Sequence, residues 1–464
     1  MGINTIELEP SKDNLFSTLA EDILDRNRFV WRFVHLCDSI EGKYSISVNA
    51  RWGEGKTFFV KQAKLIIEAY NPFSNTLTDD EKLTIKKIFS PYIGNDNTVE
   101  FVPQVCVYYD SWINDNDVDP ILSLMYEITK STACDYPFKK GKDCVTTIAK
   151  IADFFTGRNA ADLAELAKGD DFLEKIKCQR EIHSLIENFL DSLLAEQGNR
   201  LIVFIDELDR CKPTYAVQLL ERIKHYFSND RITFVFSVNL DELQHTIKSY
   251  YGEKFNALRY LDRFFNLRIE LPPAKLNRYF EKMGLNYDTS LLSLMCKIVI
   301  EEFSFSLREI GKYYRTIKIA ISGAIREKIY YQFQDANALK FSFMVIIPIA
   351  IGLYMKDIDS FNEFIKGNNP QLLIEIMDNC IASKDICRCL LSDNETFREE
   401  EANTLTYVQL NDKLTQAYKA LFSENDRNDP DFEANQVGMC SFYQDTKLRI
   451  INAISMLSVF SNYE

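Results

Sequence analysis

Apolar positions along the chain follow two rhythms. In residues 15–40 they recur at helical spacing (Leu19, Ile23, Phe29, Phe33, Leu36), which predicts helix with one buried face. Residues 44–49 then read as a short strand that runs into Ala50-Arg51-Trp52-Gly53-Glu54-Gly55-Lys56-Thr57, and residues 58–70 follow as a helix. Residues 71–80 read as a surface loop, 104–109 as a second strand ending at Asp110-Ser111-Trp112, and 120–129 as a helix. The strongest amphipathic pattern spans 172–194 (Leu173, Ile176, Ile182, Leu185, Ile186, Phe189, Leu190, Leu193), and Gly198 ends it. Residues 201–205 and 232–238 are unbroken apolar runs, which suit central parallel strands covered on both faces. Strands alternating with helices predict an α/β architecture with a parallel sheet.

After Pro272-Pro273 the strand signal fades. Residues 276–460 read as helices, with polar loops near Lys384, Asn394 and 424–435. The expected organisation is an α/β core over 1–275, an α-helical lid over 276–330 and a C-terminal helical domain over 331–464. A helical insertion is expected near 131–171. Its segments 146–155 and 160–167 are broken by Lys150, Asp153, Asp162 and Glu165, which points to amphipathic surface helices or a mobile insertion, not a membrane hairpin. The most apolar run, 341–355, contains Pro348 and Gly352 and is shorter than the roughly 18 residues of a membrane span, so a buried core helix is expected. Residues 1–12 lack the pattern of a secretory leader, and Ile6 stands where a myristoylation signal needs Ser or Thr. No transmembrane segment and a cytoplasmic location are the expectation.

Composition narrows the chemistry. With 46% hydrophobic and 26% charged residues among 464, the chain is globular, with room for roughly two to four domains. A net charge of −14 disfavours nucleic acid as a sequence-independent partner, although a local basic groove stays open. The 11 cysteines form no CxxC pair, and the four histidines (His35, His183, His225, His245) do not cluster, so a zinc site is not expected.

Two separated motifs point to one triphosphate site. The loop 50–57 fits the phosphate-loop pattern G-x-x-x-x-G-K-[ST] at every position except the first, where Ala50 stands. Gly53 and Gly55 let the backbone turn its N–H groups toward phosphates. Lys56 supplies a charge to the β- and γ-phosphates, Thr57 a hydroxyl to Mg²⁺, and the following helix its N-terminal partial charge. The second motif is Leu201-Ile202-Val203-Phe204-Ile205-Asp206-Glu207, an apolar strand ending in two acids. Asp206 is the expected metal ligand, and Glu207 the base that orients or deprotonates the attacking water. Asn239, at the end of the run 232–238, is a candidate sensor of the γ-phosphate, with Asp241 as its neighbour and competitor and an ordinary strand-end turn as the plain alternative. Arg263 and Arg308 are candidates to place positive charge on the transition state; surface ion pairs are the alternative for both.

On these residues the chain resembles the KAP family of P-loop NTPases, within the additional-strand ATPase class. The markers are Arg51-Trp52-Gly53-Glu54-Gly55-Lys56-Thr57, Tyr109-Asp110-Ser111-Trp112 and Ile205-Asp206-Glu207-Leu208-Asp209-Arg210-Cys211-Lys212-Pro213. The resemblance covers residues 20–325 and implies nucleotide-dependent switching, with ATP as the nucleotide and Arg51 to Phe58 as its cradle. Two departures stand out: Ala50 for the usual glycine, and Glu207 for the family's frequent Asp. Many members carry membrane hairpins between the two motifs, where this chain has the charged stretch 131–171. Bacterial relatives often belong to phage-defence loci. The expected activity is Mg²⁺-dependent ATP hydrolysis driving a conformational or assembly change, with ATP and ADP as ligands and a second copy or an effector protein as partner. A nucleotide-binding scaffold with negligible turnover and a nucleic-acid-stimulated ATPase are the competing readings.

Overall fold

In the computed structural model, the described residues are 9–93, 100–117, 119–133, 171–283, 291–326, 335–378, 391, 407–422, 434–443 and 446–455. They divide into two compact units, with the boundary between Leu276 and Asn277. The segments 146–155 and 160–167 of the expected insertion, and the loops near Lys384 and Asn394, lie outside the described residues.

The first unit is a three-layer α/β fold. Its elements are α1 (Lys12–Glu21), α2 (Asn27–Ser39), β1 (Tyr44–Asn49), α3 (Lys56–Tyr70), α4 (Asp79–Phe89), β2 (Gln104–Asp110), α5 (Pro120–Ala133), α6 (Asp171–Gln197), β3 (Arg200–Asp206), α7 (Pro213–Tyr226), β4 (Ile232–Val238), α8 (Leu240–Tyr251), α9 (Ala257–Leu261) and β5 (Leu267–Glu270). The five strands are all parallel, in the order β2-β3-β4-β1-β5. β4 therefore lies between the strand that feeds the glycine loop and the strand that ends in Asp206. The register sets Asp110 opposite Asp206, Asn49 opposite Val238 and Asn49 opposite Glu270, so these strand ends share one edge.

Alternation along each strand builds the layers. Val105, Val107, Leu201, Val203 and Ile205 pack with residues of α5, α6 and α7 on one face. Cys106, Ile202, Phe204, Ile46 and Val48 pack with α1 to α4 on the other. All seven residues of β4 are buried, as its unbroken apolar run anticipates.

Two local readings change. Residues 15–40 form two helices, because Asp22 (φ 46°) and Asp25 (φ 53°) enter the left-handed region between them. The Asp22 carboxylate accepts from the Asn27 N–H at 3.0 Å. The expected loop 71–80 ends early, since α4 starts at Asp79 on a reciprocal cap between Thr78 and Glu81.

The second unit, from Asn277, is mainly helical. Residues Ala336–Lys356 form one continuous helix of 21 residues with a π turn at Ser342–Ile346. By length and composition it could cross a membrane, which corrects the expectation that this run is too short; the run extends back through Ala336. Of its most apolar 18-residue window, 72% is buried, as expected of a core helix. Gly352 allows close packing, since a Cβ there would overlap Val299 and sit 2.8 Å from the Phe303 ring. A small antiparallel hairpin, β6 (Asn435–Val437) and β7 (Cys440–Phe442), adds strand where only helix and loop were expected.

Candidate functional site

The carboxyl ends of β1, β3 and β4 meet at one edge of the sheet. Asn49 ties that edge together. Its Oδ1 accepts from the Leu240 N–H at 2.8 Å, and its Nδ2 donates to the Glu270 carboxylate at 2.9 and 3.0 Å. The chain then bends through the glycine loop into α3. Gly53 (φ 83°) and Gly55 (φ 87°) both occupy the left-handed region, which a side chain would disfavour. Ala50 is not among the positive-φ residues, so alanine at the first loop position brings no backbone strain. Among the described residues the Gly53 and Gly55 N–H groups have no backbone partner. With the unpaired first turn of α3, they form a cluster of donors suited to an anion.

The Lys56 ammonium is buried and donates to the Ala50 carbonyl at 2.7 Å and the Arg51 carbonyl at 3.2 Å. Burial pulls its pKa down, while the carboxylates of Asp209, Asp206 and Glu207 pull it back up. Phe58 turns its ring into the core and leaves only backbone to a ligand.

Asp206 is 1% exposed and fully engaged. Its Oδ2 accepts from the Thr57 hydroxyl at 2.7 Å and from the Tyr108 hydroxyl at 2.9 Å; its Oδ1 accepts from the Glu207 N–H at 3.0 Å. Burial and the nearby Asp206 hold the Tyr108 hydroxyl protonated, so it stays a donor. Glu207 follows in the left-handed region at φ 59°, a conformation of order 1–2 kcal/mol unfavourable for a side-chain-bearing residue. The turn sends its carboxylate to Arg210, whose Nε lies 2.5 Å from Oε2. Burial, and then Asp206, push the Glu207 carboxyl up to about 7; Arg210 and Lys56 oppose them.

A second set of contacts ties the loop to this turn. The Trp52 indole N–H donates to Asp209 at 2.5 Å. The Arg210 guanidinium lies 5.9 Å from the Trp52 ring centre and 5.5 Å from that of Trp112, a cation between two partly exposed indoles.

The sequence profile of the KAP family P-loop domain matches residues 32–320, more than half of the chain. The chain belongs to the KAP family of P-loop NTPases. An uncharacterized protein of Methanocaldococcus jannaschii is 34% identical over 94 residues, which is 19% of this chain and 48% of that one. The human kinase D-interacting substrate of 220 kDa is 30% identical over 79 residues, 17% of this chain and 4% of that protein. The matched segment thus spans about half of one curated relative and a small part of the other. Among solved structures, the Aeropyrum pernix ORC2 protein (ADPNP-ADP complexes) aligns over 90% of this chain and 97% of that one, at 12% identity and a TM-score of 0.29.

The remaining candidate residues of this KAP protein take different positions. Asn239 sits at the same edge, but its side chain caps α8 by accepting from the Asp241 N–H at 3.2 Å. Arg263 is exposed and precedes β5; its carbonyl accepts from Lys224 at 3.1 Å, at the opposite edge of the sheet. Arg308 is exposed in the first turn of Leu307–Arg326, in the second unit, where Ser306 and Glu309 cap the helix.

Two participants carry no signal in the sequence: Tyr108 reaches Asp206 across neighbouring strands, and Arg26 reaches the glycine loop. Trp52, one of the expected cradle residues, reaches Asp209. The register of β2 against β3 could not be read locally, so nothing marked Tyr108. Trp52 and Asp209 both lie inside the quoted motifs, but their pairing spans 157 positions.

Proposed function

We propose that the chain is a Mg²⁺-dependent ATP hydrolase whose cycle drives a conformational or assembly change. The observation that carries this reading is the convergence of Lys56, Thr57, Asp206 and Glu207 at one sheet edge, beside unpaired loop N–H groups. The donor set fits a polyphosphate with a hard divalent cation: an ammonium and amides for the anion, a hydroxyl and a carboxylate for the metal. Thr57 and Asp206 are the residues that would hold Mg²⁺. An ion held by these two residues would supply positive charge to offset that of the phosphates.

Lys56 exchanges the Ala50 and Arg51 carbonyls for phosphate oxygens. Glu207 takes a proton from the water that attacks the γ-phosphorus as the bond to the β–γ bridging oxygen breaks and ADP leaves, and a carboxyl lifted to about 7 is well matched to that task at neutral pH. Arg263, at the far edge of its own sheet, acts only across a subunit boundary. Arg308 senses the γ-phosphate from the helical segment after Leu276, and Asn239 assists after releasing its cap. A part in anti-phage defence rests on the family resemblance alone.

A nucleotide-binding module with negligible turnover is the second reading, and the Arg210–Glu207 pair favours it, because a base held by a guanidinium is not free to meet water. Turnover measured on purified protein with MgATP separates the two. Phosphate release absent at every protein concentration, with ATP bound, sinks hydrolysis and leaves the module. Stimulation by DNA or RNA would instead promote a nucleic-acid-dependent motor. Native mass measured with and without ATP tests the assembly step.

A further inference from the structure

Arg26 lies in the turn between α1 and α2, yet its guanidinium reaches the glycine loop. Nη1 donates to the Glu54 carbonyl at 2.7 Å, and Nε donates to the Pro272 carbonyl at 2.8 Å. The residue is 5% exposed. Both acceptors are neutral carbonyls, and among the described residues Arg26 forms no ion pair within bonding distance, so the nearby Glu54 carboxylate offsets its burial only in part. Burial lowers its pKa to about 10, and the Glu54 carboxylate opposes that shift. The charge is retained at neutral pH. An apolar side chain could fill the same space without desolvating a cation, so packing alone does not explain an arginine here.

The peptide it holds explains the choice. A peptide group is planar and trans, so a carbonyl and the next N–H point in opposite directions. Holding the Glu54 carbonyl on Arg26 turns the Gly55 N–H away from Arg26. This peptide is also prone to flip, because glycine accepts φ of either sign. Flipped, it would aim a carbonyl oxygen at the anion in place of a donor.

We propose that Arg26 is a positioning residue for the nucleotide: it holds the Glu54–Gly55 peptide so that the Gly55 N–H faces the phosphates, and it ties that peptide to the Pro272 carbonyl. The inference rests on the nucleotide reading above. The second bond matters because Pro272 lies on the short stretch that leaves β5 and leads to Asn277. Lys275 is held on the same turn, with its N–H on the Leu24 carbonyl at 3.1 Å and its ammonium 2.5 Å from Asp25. The loop peptide and the exit from the core are thus fastened to one side chain.

The sequence offers a selective probe. Only Gly42 and Gly55 follow a glutamate, and only Gly53 follows a tryptophan. Cell-free protein carrying carbonyl-¹³C glutamate and ¹⁵N glycine therefore gives two selected amide resonances, with Gly42 as the internal control. Tryptophan labelling selects Gly53. In the wild-type protein MgADP should move Gly55 and Gly53 and leave Gly42 in place. In Arg26→Gln the Gly55 resonance should already differ without ligand, and MgADP affinity should fall about tenfold, the equivalent of about 1.4 kcal/mol. With MgATP, KM should rise and kcat stay within about twofold. Arg26→Lys should recover part of the affinity, because one ammonium can serve one carbonyl but lacks the fork.

Unchanged MgADP affinity in Arg26→Gln overturns the positioning role. So does weaker affinity with the Gly55 resonance unmoved in the ligand-free protein. If Arg26→Gln does not fold, Arg26→Lys carries the same comparison. The wild-type spectrum decides without any variant: Gly53 moving with MgADP while Gly55 stays still overturns the presentation of Gly55. A wild-type protein in which neither glycine responds, with no ADP bound, sinks the nucleotide reading itself, which is a different outcome.

Discussion

Replacing Glu207 with glutamine should uncouple stability from activity in a way that depends on pH. The carboxyl has a folded-state pKa of about 7 against 4.5 for a free glutamate, because burial and Asp206 disfavour its charge. The folded state therefore holds this proton more tightly than the unfolded chain does. As pH rises through 4.5 the unfolded chain ionises first and stability falls; the loss is complete once pH passes about 7, where the folded carboxyl also ionises. A shift of this size bounds the loss at about 3 kcal/mol. The side chain keeps 18% of its solvent contact and pairs with Arg210, so about 1–2 kcal/mol is the working figure. Glu207→Gln keeps the shape without the charge. The ligand-free variant should be about 1–2 kcal/mol more stable than wild type at pH 8 and nearly equal to it at pH 4.5. Urea unfolding at the two pH values reads the difference. MgATP binding should survive while turnover falls by about 10² to 10⁴-fold. A variant equally destabilised at both pH values would refute the electrostatic account, and normal turnover would remove Glu207 as the base in favour of Asp209.

Four further outcomes follow from the same geometry. Lys56→Ala should weaken ATP binding by about 10- to 100-fold in an equilibrium titration, because the phosphates lose a charged partner. Asp206→Asn should weaken ATP binding in the presence of Mg²⁺ while leaving metal-free ATP affinity close to wild type, since the Thr57 and Tyr108 hydroxyls still find an oxygen there. Hydrogen exchange over residues 274–325 should differ between ADP and a non-hydrolysable ATP analogue, and Arg308→Ala should abolish the difference; equal protection in both states removes Arg308 as sensor. Gly352→Ala should destabilise the helical unit by about 1–3 kcal/mol in thermal unfolding, because the added carbon overlaps Val299 and crowds Phe303.

The legible parts of the site are those whose chemistry is written within a few residues. Gly53, Gly55, Lys56 and Thr57 lie on one loop and the helix behind it, and Asp206 and Glu207 end an unbroken apolar strand. The spacing therefore anticipates their elements and their common edge. What escapes is anything set by register or by chain reversal. Arg26 reaches the glycine loop from a turn shaped by Asp22 and Asp25, two left-handed residues without the glycine that usually marks such a bend. The start of α4 was readable, since Thr78 and Glu81 carry a capping-box spacing, but the polar run around them looks like loop. β6 and β7 have three residues each, too short for alternation to register. Arg263 shows the opposite failure: its place before a strand is read correctly, yet only the parallel register puts it at the edge away from Lys56.

The strand order also constrains how the protein can be made. β1 is the first strand of the five-stranded sheet to be synthesised, but its two neighbours, β4 and β5, are that sheet's last. At usual translation speeds about 10–40 s pass between completion of β1 and emergence of β4. Through that interval the glycine loop is anchored at its N-terminal side to a strand with no partner on either side. Ile46 and Val48, both fully buried in the finished sheet, wait with only helical neighbours to cover them. The loop that opens the site is thus encoded early and the sheet around it is completed late, so a nascent chain stalled before Ile232 would leave β1 without its flanking strands.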